Sequence, residues 1–188
     1  MLIYIQPIYI FLLALILAIL EVQIEGAHGW AKNLPTWRAN PNKWYAKLYK
    51  KITGDKDLTG YHLCLFLLIL FLFHAPFFFG LQWSWTLEIN IIALFTLFMI
   101  IEDYLWFVVN PYFTVKNFQG KHIIWHKKWF LKLPLGYWIG SLISLFLAIL
   151  NYLIFKQNIL NWLIGLGLLI VLTLITKTLI KTFKPEWE

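Results

Sequence analysis

A chain of 188 residues that is 61% hydrophobic and only 13% charged is not a soluble domain, where roughly a quarter of the residues are charged and the surface must be wetted. Ten glycines, seven prolines and a single cysteine, Cys64, exclude collagen-like, disordered and disulfide-stapled classes. The formal charge of +7 in so apolar a chain belongs to a membrane surface and gives no reason to invoke nucleic acid.

A helix needs about 20 apolar residues to cross the hydrocarbon layer. Five segments qualify: 2–24, 58–79, 85–109, 135–155 and 159–180. The first lacks a basic leader, and its apolar stretch from Leu2 to Leu20 exceeds the roughly 7–15 residues of a signal-peptide core, so it reads as a retained span. Between the first two spans, Asn40-Pro41 is a helix-start signal. Over 41–52, Trp44, Tyr45, Leu48, Tyr49 and Ile52 fall on one side of a helical wheel. Lys43, Lys47, Lys50 and Lys51 share an arc of about 100° opposite. This pattern predicts an interfacial amphipathic helix whose lysines meet anionic head groups of the bilayer. Asp57 is read as the cap of the second span. Asn110-Pro111 ends the third span.

Orientation follows from the basic residues. With five spans, the 25–57 loop, the 110–134 loop and the C-terminal tail share one side and hold fifteen of the sixteen lysines and arginines; only Lys156 lies opposite. The positive-inside rule then puts the N-terminus outside and the C-terminus in the cytoplasm. The expected fold is an all-α integral membrane protein: one membrane domain over 1–188, a five-helix bundle with an interfacial helix in its first cytoplasmic loop. The expected location is the plasma membrane of a prokaryote, with a homo-oligomer or a partner membrane protein as the companion.

Charges inside a span are costly and mark function by default. If the first helix continues, Glu21, Glu25 and His28 sit at about 0°, 40° and −20° and project from one face. Glu25 and His28 also make the Glu-x-x-His spacing by which helical bundles hold metals. The third span runs in the same direction, and its Glu102-Asp103 pair lies about 10 Å inside its end. His62 starts the second span at similar height, and His122 and His126 follow the third at i, i+4. Four carboxylates and four imidazoles therefore converge on the basic end of the bundle. Such a cluster must take up protons or cations.

Oxygen and nitrogen donors without thiolate suit iron, manganese or zinc, and a carboxylate-bridged pair of metals, with iron favoured, is the most economical filling. Glu21, Glu25, His28, Glu102, His122 and His126 are the expected ligands, with Asp103 and His62 as additional ligands or their supports. The leading expectation is a metal-dependent oxidoreductase or hydrolase acting on a lipid or other apolar substrate. The alternatives are an ion, proton or metal transporter using the same carboxylates, and a non-catalytic assembly subunit.

Overall fold

The computed structural model describes residues 2–113, 118–120, 122–123 and 125–184. Five helices are long and apolar enough to cross a membrane: α1 (Leu2–Glu25), α3 (Gly60–Phe78), α4 (Trp85–Val109), α5 (Leu135–Phe155) and α6 (Ile159–Phe183). A sixth, α2 (Trp44–Thr53), is short. Strands β1 (Trp129–Phe130) and β2 (Leu133–Pro134) form a two-residue antiparallel hairpin leading directly into α5. Leu131 and Lys132 both have positive φ, as the tight turn of such a hairpin requires. The chain is an all-α membrane bundle.

Lipid tails give no hydrophobic drive for helix association, so small residues and interhelical hydrogen bonds hold such bundles together. α4 is the hub: α1, α3, α5 and α6 all pack on it, and α1 also packs on α6. Ala14 and Ala18, one turn apart on α1, are fully buried, as is Ala93 on α4. On α5, Ser144 donates to the Ala93 carbonyl (2.8 Å) and accepts from Trp162 of α6 (2.9 Å). One level away, Asn151 donates to the Thr86 carbonyl at 3.0 Å. Asn110, which ends α4, donates to the Gly26 carbonyl at 3.0 Å and so joins the ends of α4 and α1.

Three local expectations are corrected. α1 stops at Glu25 because Gly26 takes φ +60°, and Trp30 and Ala31 are also left-handed. His28 therefore leaves the helical face and is exposed. Asn40 does not cap α2; its side chain accepts from Asn42 N–H (2.9 Å) in an Asx turn, and the helix starts three residues later, with Lys43 at its N-cap. The cap of α3 is Thr59, which accepts from His62 N–H, whereas Asp57 pairs with Lys50 at 2.7 Å. Residues 36–39 bind the start of α3 through Gly60 N–H to the Trp37 carbonyl (2.8 Å) and Tyr61 N–H to Thr36 (2.9 Å). That clamp fixes where His62 enters the bundle.

Candidate metal centre

The last turns of α1 and the first turn of α3 supply the centre of the site. Glu21 and Glu25, one turn apart, face inward and are buried. His62 is buried with them. One ligand atom from each of the three lies within 4.8 Å of the others. The Glu25–His62 approach is 3.6 Å, too long for a hydrogen bond.

The imidazole is held from both sides. Trp30 stacks on its face at 3.9 Å with planes 12° apart, and Thr59 Oγ1 lies 2.8 Å from its Nδ1. A hydrogen bond at Nδ1 leaves Nε2 as the nitrogen aimed at the carboxylates, the arrangement that orients ligating histidines. Glu25 is fixed by the bent loop after α1, whose Ala31 N–H donates to Oε1 at 2.5 Å. Tyr61 donates to Glu21 at 3.2 Å.

α4 adds a third carboxylate. Glu102 is only 5% exposed, its carboxyl group lies within hydrogen-bonding reach of Glu21, and its Oε1 is buried with no hydrogen-bond partner. Two carboxyl groups that close require a proton or a cation between them. A buried acceptor left unpaired costs about 1–3 kcal/mol, more when charged. The cavity thus brings together three carboxylates and one imidazole, of which Glu21, Glu25 and His62 share a common point.

Asp103 belongs to a different set. Its Oδ2 accepts from His126 Nε2 at 3.0 Å and from the Tyr137 hydroxyl, and its Oδ1 lies 3.8 Å from Lys56 Nζ. Both oxygens are engaged, so Asp103 positions His126. Lys56 reaches in from the loop after α2, with its ammonium 4.1 Å over the Trp30 ring. Burial holds that ammonium below the ordinary lysine pKa, with the charge of Asp103 opposing the shift.

Of these side chains, all but Thr59 and Tyr61 line one cavity of about 430 Å³ at the basic end of the bundle. One wall is the polar set just described. The other runs along α4 and α5 through Thr96, Met99, Ile100 and Ile139. The end of α2 forms its lip with Tyr49, Ile52 and Thr53. Burial pushes the Tyr49 phenol up to about 12, and its hydroxyl has no partner.

Of the residues expected from sequence, Glu21, Glu25, Glu102, Asp103, His62 and His126 surround this cavity. His28 and His122 do not join them: both are exposed. Neither His122 nor His126 lies in a helix, so the helical i, i+4 spacing does not apply. Of the lysines on α2, Lys51 lines the mouth, Lys50 is paired with Asp57, and Lys43 and Lys47 are exposed. Sequence reasoning missed Lys56, Trp30, Tyr61 and Tyr137. Tyr61 and Tyr137 carry one available signal, since each stands in the first turn of a span beginning at the basic end.

Comparison of the chain with protein-family models, with curated proteins and with solved structures finds no match.

Proposed function

We propose that the chain is a membrane-embedded metalloenzyme that holds one divalent cation among Glu21, Glu25 and His62 and acts on a lipid-like substrate. The observation that carries the reading is the convergence of these three side chains, with donor atoms within 4.8 Å, in a cavity also lined by the apolar side chains of Met99, Ile100 and Ile139. Glu102, whose buried Oε1 has no partner, lines the same cavity beside them. Three protein ligands with room for substrate is the pattern of catalytic rather than structural sites.

Glu21, Glu25 and His62 would hold the cation, which would supply Lewis-acid chemistry towards an ester or phosphoester. His126, oriented by Asp103 on the same cavity, is the group suited to carry a proton. With His28 and His122 exposed and Asp103 fully engaged, the ligands for a second metal are lacking among the described residues. A single-metal hydrolase therefore fits better than a two-metal oxidase. Iron, manganese and zinc all accept this donor set. Transport gains no support from α4, where only Asn90 and Thr96 interrupt the apolar residues between Glu88 and Glu102.

Elemental analysis of purified protein from cells supplied with iron, manganese and zinc tests the reading. About one equivalent of a divalent metal is expected for a site of this donor count. Protein that stays metal-free, and is not stabilised by any of the three ions, would overturn it.

A further inference from the structure

Among the described residues, four buried side-chain polar atoms lack a hydrogen-bond partner, and three of them, Glu102 Oε1, Tyr49 Oη and Trp106 Nε1, belong to residues that line the cavity. Glu102 faces the proposed cation. The other two are donors. Trp106 is 4% exposed, one turn beyond Glu102 on α4, and its indole N–H can only donate. A ligand that satisfies both donors brings acceptor oxygens to this end of the cavity.

The charges at the mouth ask for the same kind of ligand. Lys51, Lys127 and Lys128 line it. Lys127 is taken by Asp55 at 2.8 Å, whereas Lys51 and Lys128 are in no ion pair among the described residues. Deeper in, Lys56 answers Asp103. A divalent cation offsets two of the three carboxylate charges of Glu21, Glu25 and Glu102, and Lys51 and Lys128 together exceed the one that remains. The balance then favours an anion.

The remaining wall is apolar. Along α4 it extends from Glu102 to Thr96, about 9 Å at 1.5 Å per residue, with Ile139 of α5 alongside. α3 and α5 both pack on α4 rather than extensively on each other. A Cβ placed on Gly136, which lines the cavity in the first turn of α5, meets nothing within 4 Å.

We propose that the cavity seats a lipid phosphate: its phosphate oxygens between Lys51, Lys128 and the Tyr49 and Trp106 donors, and its chain along the Thr96–Ile100 wall of α4. This names the substrate class of the site and rests on the metal reading, since without a cation the carboxylates would favour a positively charged amphiphile instead.

Native mass spectrometry of the full chain, released from a neutral detergent, tests the proposal with four probes. These are a monoacylglycerol phosphate, inorganic phosphate, a monoacylglycerophosphocholine and an alkyltrimethylammonium. Metal is counted by elemental analysis on the same samples before any probe is added. The expected result is one retained monoacylglycerol phosphate per chain, held at least tenfold more strongly than the choline ester. Inorganic phosphate should bind only weakly, because it has no chain. The Lys51→Glu/Lys128→Glu double variant should lose the adduct tenfold or more. Gly136→Leu, whose side chain enters open space, should lose it while keeping metal and melting temperature.

Equal retention by both variants, preference for the trimethylammonium probe, or inorganic phosphate binding as tightly as the lipid would each overturn the proposal. If metal is present and the phosphate preference absent, the inference falls alone. If the parent protein carries and accepts no metal, the metalloenzyme reading falls on its own evidence.

Discussion

Glu102 has an unpartnered oxygen in a site where Asp103, its neighbour, has none. Adjacent carboxylates on one helix point about 100° apart, so one addresses α1 and α3 while the other addresses α5 and His126. The metal reading therefore predicts a sharp division among variants. Glu25→Ala and His62→Ala should each lower metal affinity about 100-fold or more, since removing even a supporting group costs about 10–100-fold. Glu88→Ala, His28→Ala and His122→Ala should retain metal. Metal titration with a competing chelator makes the comparison, and equal affinity across all five variants would dissolve the site. Lys56 gives a pH signature. Its folded pKa lies below the unfolded value of 10.5, so the unfolded chain binds more protons in the window between them. Stability is then full above pH 10.5 and is lost as pH falls through the folded value. Lys56→Met should flatten this rise, read as the melting temperature in detergent between pH 8 and 10. A rise of unchanged size in the variant would assign it to other groups. At this scale the sequence was a partial guide. The carboxylates were legible because charges stand out in apolar spans, but the choice among His28, His62 and His122 was not. It depends on Gly26 turning the chain after Glu25 and on Thr59 capping α3, which are backbone events that helical spacing cannot report.

α2 shows how one amphipathic face serves two surroundings. Trp44, Leu48 and Ile52, at i, i+4 and i+8, are 75%, 48% and 74% exposed. Tyr49 on the same helix reaches the cavity, and Ala46 is buried against the protein. The sequence places Trp44, Tyr45, Leu48, Tyr49 and Ile52 on a single side, and only tertiary packing separates the exposed row from the protein-facing one. Burial of a large apolar side chain is worth about 1.5–3 kcal/mol. Trp44→Ser combined with Ile52→Ser should therefore release α2 from the bilayer surface. Proteolysis of the 40–57 segment in liposomes should become several-fold faster, while the melting temperature of the bundle stays within a degree or two of the parent. Unchanged cleavage would mean that Tyr49, Ala46 and the Lys50–Asp57 pair hold α2 without lipid. The long helices were easier to read, because twenty apolar residues in a row have few other fates. Their caps were harder, since Asp57 and Thr59 are both competent and the pairing of Asp57 with Lys50 decides between them.

At the scale of the whole molecule, the five spans put thirteen of the fourteen described basic residues at one end. A C-terminal reporter should be active on the cytoplasmic side, and cysteines introduced at Lys47 and Lys127, after Cys64 is replaced, should resist impermeant reagents in intact cells. Labelling of either from outside would invert the map and place the cavity on the opposite surface. α4 has a further consequence in time. It is the third span to leave the ribosome, yet it is the helix on which α1, α3, α5 and α6 all pack. Until Trp85–Val109 is inserted, the first two spans have no shared core to assemble around. They must rest in the bilayer as separate helices, with Glu21 and Glu25 still lacking Glu102. Glu102 joins Glu21, Glu25 and His62 only when α4 is in place, and His126 and Tyr137, later in the chain, close the cavity after it.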